Sequence, residues 1–167
     1  EIVRDAGRFA TPLAHGRSFE ISLPQAEDGS EPQIIVNGNT DQLRQLILIL
    51  LDNAFAYSPE DGDVSLTLDC NADEAVIAVS DSGPGISDEH LQRIFERFYR
   101  AEAARSRGYG GAGLGLSIAR WIVSIHRGQI DVESDVGDGT TFRIRLPRIA
   151  TPEQLIDVPA RHDPVLT

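Results

Sequence analysis

The sequence predicts an α/β (α+β) two-layer sandwich: a mixed, mostly antiparallel sheet covered on one face by helices. Three observations carry this. Helical and strand patterns succeed one another in an order that suits two packed layers. Residues 64–69 and 75–81 alternate apolar and polar on either side of a short turn, the signature of an antiparallel pair. Residues 40–57 place Leu43, Leu46, Ile47, Leu50, Leu51 and Ala54 at helical spacing, a strong core-facing stripe.

The remaining elements follow in chain order. Residues 1–15 carry Ile2, Ala6, Phe9 and Leu13 at spacings of three and four, an amphipathic helix ending at Gly16. Residues 18–23 alternate as a strand, 24–32 form an acidic loop, and 33–36 make a short strand turning at Asn37-Gly38. Ser87 can cap a helix with Asp88 and Glu89 in its first turn and Leu91, Ile94, Phe95 and Phe98 on its apolar face. Residues 101–112 are small, polar and glycine-rich, the composition of a lid. A helix over 113–126 closes at Arg127-Gly128, and strands over 129–134 and 140–146 meet through Gly137-Asp138-Gly139. After Pro147 the apolar pattern fades and prolines recur, so 148–167 reads as a loose tail behind one domain of 1–147.

Composition narrows the function. A chain of 167 residues holds one core-bearing domain, and 41% hydrophobic residues suit a soluble fold. No apolar run approaches the ~20 residues that span a bilayer, and nothing resembles a signal peptide. The sequence has no Met, which predicts a piece of a longer protein. The single Cys70 excludes an internal disulfide and fits a reducing compartment. A net charge of −11 argues against nucleic acid and anionic membrane as partners. It leaves room for a nucleotide, whose phosphates a bound cation and local arginines can neutralise. Every basic side chain other than His is Arg, so a lysine-dependent P-loop is excluded.

Four short motifs carry the chemistry: LLDNAFAYSP at 50–59, DSGPGI at 81–86, RIFERFYR at 93–100 and GYGGAGLGL at 108–116. Asn53 is polar within an apolar helix, on a stripe with Ile49 and Ala56/Tyr57 that is separate from the core stripe. A buried amide needs partners. It can serve as a structural hydrogen-bonding group, or its oxygen can act as a hard ligand for Mg²⁺. Asp81 ends a strand and opens Ser82-Gly83-Pro84-Gly85. It reads as a turn former, or as an acceptor for the exocyclic amine of adenine with glycines allowing close approach. Gly108–Gly113 fits G-x-G-x-x-G with Asp131 or Glu133 downstream, but no strand pattern precedes it, as a dinucleotide loop requires. Backbone N–H groups around Gly111, Gly113 and Gly115 can instead receive phosphates at a helix start. Phe95 and Phe98 read as helix core, while Arg97 and Arg100 are either surface charges or phosphate contacts. His15, His90, His126 and His162 read as surface or capping residues.

Taken together and in this order, the motifs resemble the ATP-binding catalytic domain of a bacterial sensor histidine kinase, in the GHKL superfamily with its Bergerat-type fold. The resemblance covers residues 1–147. It implies ATP and Mg²⁺ as cofactors, with Asn53 as the N-box ligand that holds Mg²⁺ between the phosphates and Asp81 as the adenine-binding Asp. Thr140 matches the family's Thr near adenine. Tyr57, Gly83, Gly85, Ile86, Arg97, Gly111, Gly113, Leu114, Gly115 and Leu116 complete the expected nucleotide set. Asn53 and Arg100 are the expected catalytic groups. None of the four histidines has the family's phosphoacceptor context, and His126 matches a helix-end His common in it.

The resemblance therefore implies transfer of the γ-phosphate to a histidine on a separate dimerisation domain of the parent kinase, and later to a response-regulator Asp. It further implies a cytoplasmic location, including the cytoplasmic part of an inner-membrane sensor, and a monomeric isolated domain. Two departures stand on the Asn53 stripe. Ile49 replaces a frequent second Asn, and Ala56 replaces a usual basic residue, which predicts weaker phosphate binding or turnover. A serine kinase of the anti-sigma type and a degenerate nucleotide-sensing module are the alternative readings.

Overall fold

A computed structural model describes residues 1–26, 29–100 and 112–149. Residues 101–111 of the lid expected over 101–112, with Gly111, and residues 150–167, with His162, lie outside the described residues. In chain order the elements are α1 (Ile2–Ala10) with a 3-10 turn (Thr11–Ala14), β1 (Ser18–Ser22), β2 (Ile35–Val36), α2 (Thr40–Tyr57), β3 (Asp63–Cys70) and β4 (Glu74–Asp81). They continue with α3 (Asp88–Leu91), α4 (Gly115–Ile125), β5 (Gln129–Asp135) and β6 (Gly139–Ile149).

The six strands form one sheet in the order β1-β3-β4-β6, with β5 and β2 sharing the outer edge of β6. Only β1 and β3 run parallel; every other pair is antiparallel. The alternation that predicted β3 and β4 sets their burial: Val64, Leu66, Ala75, Ile77 and Val79 point into the core with Phe142, Ile144 and Leu146 of β6. The opposite face of the β5–β6 pair is polar, with Arg143 bound to Glu133 and Arg145 to Asp131. α2 lies on the apolar face and buries Leu46, Ile47, Leu50 and Leu51 completely. α4 adds Ala119, Ile122 and Val123 to the same core.

Several expectations are corrected. The buried face of α1 is Val3, Ala6, Gly7 and Ala10, while Phe9 and Leu13 are 70% and 42% exposed. Small residues win because α1 lies close on the sheet: a Cβ at Gly7 would sit 2.5 Å from Ile21 Cδ1. The helix expected after Ser87 is a single turn, and the Ser87 side chain makes no capping bond. Phe98 is 69% exposed with φ +63°, so it is not core; Phe95 is the packed member, meeting Phe142 edge-on at 6.4 Å. α4 begins at Gly115 rather than Gly113, because Gly113 has φ +70°. β6 passes the expected boundary at residue 147: Arg148 pairs with Val36, and its guanidinium donates to the carbonyls of Asn71 and Gln33.

Candidate functional site

Among the described residues, the predicted glycine segments lie against the C-terminal half of α2. Its stripe Ile49, Asn53, Ala56 and Tyr57 is half-buried to exposed, set apart from the core-facing stripe. At the Ile49 end lies the start of α4: a Cβ at Gly115 would be 3.3 Å from Ile49 Cγ2. Ile49, apolar where an Asn is frequent, therefore packs against the second glycine segment. At the Tyr57 end lies the first glycine segment, since a Cβ at Gly83 would be 3.0 Å from the Tyr57 carbonyl. The eight steps from Ile49 to Tyr57 rise about 12 Å along the helix, with Asn53 midway. One helix face thus joins the two glycine segments and leaves an amide between them.

Asp81 is the last residue of β4, opposite Thr140 in the β4–β6 register. One carboxylate oxygen accepts the Gly83 N–H at 2.8 Å, which fixes the turn. Burial pushes the Asp81 carboxyl up from 3.8 to about 6, partly opposed by that hydrogen bond. An acceptor kept in a poorly solvated position is suited to a donor supplied by a ligand.

The backbone around Asp81 has no room for side chains. Gly85 has φ +71°, and a Cβ there would lie 2.0 Å from the Asp135 carbonyl. Gly139 has φ +91°, and its Cβ would lie 1.9 Å from the Asp81 carbonyl. The Ile86 N–H donates to Ser134 Oγ at 2.8 Å, tying the glycine segment to β5. Ser134 carries no local motif, and the closeness of the turn residue Gly139 to Asp81 comes from the strand register, which one-dimensional spacing does not display.

At the α4 end, Leu114 occupies the N-cap position without a side-chain cap of its own, and the first N–H groups of this 11-residue helix are donors of the kind that an anion can take. Leu116 packs against the core and Ser117 Oγ donates to the Leu114 carbonyl at 2.8 Å, which anchors this turn. The Phe98 N–H donates to the Gly113 carbonyl at 2.8 Å. The aromatic segment and the second glycine segment are therefore joined at the base of 101–111. Tyr99 is held there by His90 Nδ1 at 2.6 Å and by the Arg93 guanidinium over its ring. Arg97 is exposed and Arg100 half-buried, on the chain leading into that segment.

Beside the Tyr57 end is a shallow cavity of about 450 Å³ that includes Ala56, Ser82, Gly83 and Arg17. Arg17 donates through Nε and a terminal nitrogen to the Ser58 carbonyl at 3.1 and 3.0 Å. It supplies a cation where α2 has no basic residue in its last turn. For a metal, the described residues hold no group of three or more His, Cys, Asp or Glu that could form a cage. Mg²⁺ seldom uses a protein cage and is commonly shared between one or two side-chain oxygens and substrate phosphates. Asn53 fits that role.

Residues 38–150 match the family described as histidine kinase-, DNA gyrase B- and HSP90-like ATPases. The chain belongs to this ATPase family. Within the family its likeness falls on sensor histidine kinases. It is 45% identical over 108 residues to the sensor protein SrrB of Staphylococcus aureus, covering 65% of this chain and 18% of that protein. Among solved structures, a mycobacterial sensor histidine kinase, MprB, superposes with a TM-score of 0.75 and 29% identity, covering 88% of this chain and 93% of that one. The structure of ShkA in complex with AMPPNP also gives 0.75, at 26% identity, covering 90% of this chain and 30% of ShkA. The chain thus spans under a fifth of the curated relative's length. The two-layer ATPase architecture and the histidine-kinase resemblance agree with the reading from sequence. No helix among the described residues is long and apolar enough to cross a membrane.

Proposed function

We propose that this chain binds Mg·ATP and presents the γ-phosphate to a histidine on a separate dimerisation domain of its parent kinase, from which a response regulator takes it. The observation that carries this is the Asn53 face of α2, with Asp81 and Gly83 at one end and the start of α4 at the other. Asp81 and Thr140 receive adenine, with Gly83, Gly85 and Ile86 forming the backbone wall beside it. Tyr57 borders the same end. The N–H groups of Leu114, Gly115 and Leu116 receive phosphate oxygens at the α4 terminus. Gly113 holds the turn, and Gly111 and Arg97 complete the phosphate end.

Asn53 would hold Mg²⁺ through its amide oxygen, and the ion neutralises phosphate charge when bound. Arg100 stabilises charge on the transferring phosphoryl group, since phosphoryl transfer depends on positioning and charge neutralisation. None of the described residues needs to act as nucleophile, because the acceptor imidazole comes from another domain. The parent kinase works in the cytoplasm, and the isolated domain is a monomer.

Asn53→Ala tests the metal assignment. Calorimetric titration with ATP should show that added Mg²⁺ no longer tightens binding to this variant. Retained Mg²⁺ dependence would remove Asn53 from the metal.

A further inference from the structure

Ser134 on β5 faces three hydrogen-bonding groups at once. Its Oγ lies 2.8 Å from the Ile86 N–H, 2.6 Å from the Gly139 carbonyl and 3.0 Å from Thr140 Oγ1. A hydroxyl has one proton and two lone pairs. The Ile86 N–H can only donate, and the Gly139 carbonyl can only accept. Ser134 therefore gives its proton to Gly139 and takes one bond from Ile86, leaving a single lone pair for Thr140. With all three contacts made, Thr140 must donate to Ser134.

Thr140 is then left with lone pairs alone for any further partner. It is buried and stands opposite Asp81, whose carboxylate is also an acceptor. We infer that Ser134 is a positioning residue that orients the Thr140 hydroxyl as an acceptor, so that the base end of the site favours a 6-amino purine over a 6-oxo purine. This rests on the proposal that Asp81 and Thr140 face adenine. A 6-amino group supplies two donors to the two acceptors, whereas a 6-oxo purine sets an acceptor against them and keeps a single donor, its N1–H, one ring position away.

The test is calorimetric titration of the chain with Mg·ATP and with Mg·ITP, which carries oxygen in place of the 6-amino group. Wild type should prefer ATP. Ser134→Ala should weaken ATP binding by roughly tenfold while weakening ITP binding less, so that the ATP-to-ITP ratio shrinks. Ser134→Thr keeps the hydroxyl on a strand that tolerates β-branching and should restore the ratio. If Ser134→Ala lowers the melting temperature but leaves the ratio unchanged, Ser134 only supports the fold and the inference is overturned. Should that variant melt below the titration temperature, Thr140→Val must shrink the ratio in the same way, and an unchanged ratio overturns it equally. Failure of wild type to bind either nucleotide would instead overturn the proposed function, and this inference with it.

Discussion

The buried carboxyl of Asp81 is a cost to the fold. Its folded-state value of about 6 lies above the ordinary 3.8, so between these values the folded chain holds a proton that the unfolded chain releases. The contribution of Asp81 to stability therefore falls as pH rises from about 4 to about 6, and the full penalty of the buried carboxylate is present above that window. Asp81→Asn removes the charge and keeps an acceptor for the Gly83 N–H. Denaturant unfolding across pH 4–8 should show the variant gaining on wild type as pH rises to about 6, then holding a constant lead. The same variant should lose ATP affinity by at least about a hundredfold, because a site built around one polar contact rejects its loss strongly. Equal pH profiles for the two proteins would show that Asp81 is not the strained group. At this scale the sequence was legible where a residue stood in a local motif, as Asp81, Gly83 and Gly85 do. Ser134 was not, because Ile86 and Thr140 meet it through the sheet and hairpin, not through adjacent motif spacing; Gly139 was read as a turn residue but not as a neighbour of Asp81.

Among elements, α2 was read to the residue because its core stripe is continuous and its caps are local: Asn39 Oδ1 accepts the Gln42 N–H at 3.0 Å. The start of α2 is also fastened to the end of α4. The Asn39 N–H donates to His126 Nε2 at 3.0 Å, and His126 Nδ1 donates to the Ile122 carbonyl at 2.7 Å. Gly38 must be small, since its Cβ would lie 2.4 Å from the His126 ring. His126→Ala should cost about 1–2 kcal/mol in denaturant unfolding, the loss of an acceptor for the Asn39 N–H and of ring packing. Its ATP-to-GTP preference should not change, because the latch lies at the opposite end of α2 from Tyr57. Gly85→Ala should cost more, about 2–4 kcal/mol, since it combines a left-handed φ with a backbone collision. A midpoint shift in urea measures both. The face of α1 was read correctly at Ile2 and Ala6 but wrongly at Phe9 and Leu13, because apolar size was weighed over closeness of packing, which here selects Gly7 and Ala10 instead. The segment after Ser87 was read as a longer helix because Leu91, Ile94 and Phe95 keep helical spacing, although the chain leaves the helix after Leu91 and Phe98 turns to positive φ.

At the scale of the whole molecule, the sheet and the three longer helices bring two glycine segments, far apart in sequence, to the two ends of one helix face. Those segments lie more than twenty residues apart, and β4, β6 and α4 must all be in place before they meet across Asn53. The acidic character of the chain, −11 overall, makes tight binding of an anionic nucleotide depend on local donors and on a bound cation. ATP affinity should consequently fall sharply when Mg²⁺ is withdrawn. Calorimetric titration with ATP, with and without Mg²⁺, and with GTP and Asp81→Asn alongside, tests the central claim most directly. Mg²⁺-dependent binding of ATP, absent for GTP and lost in Asp81→Asn, is the predicted result. No ATP binding, or equal binding of ATP and GTP with Asp81→Asn unaffected, would contradict it.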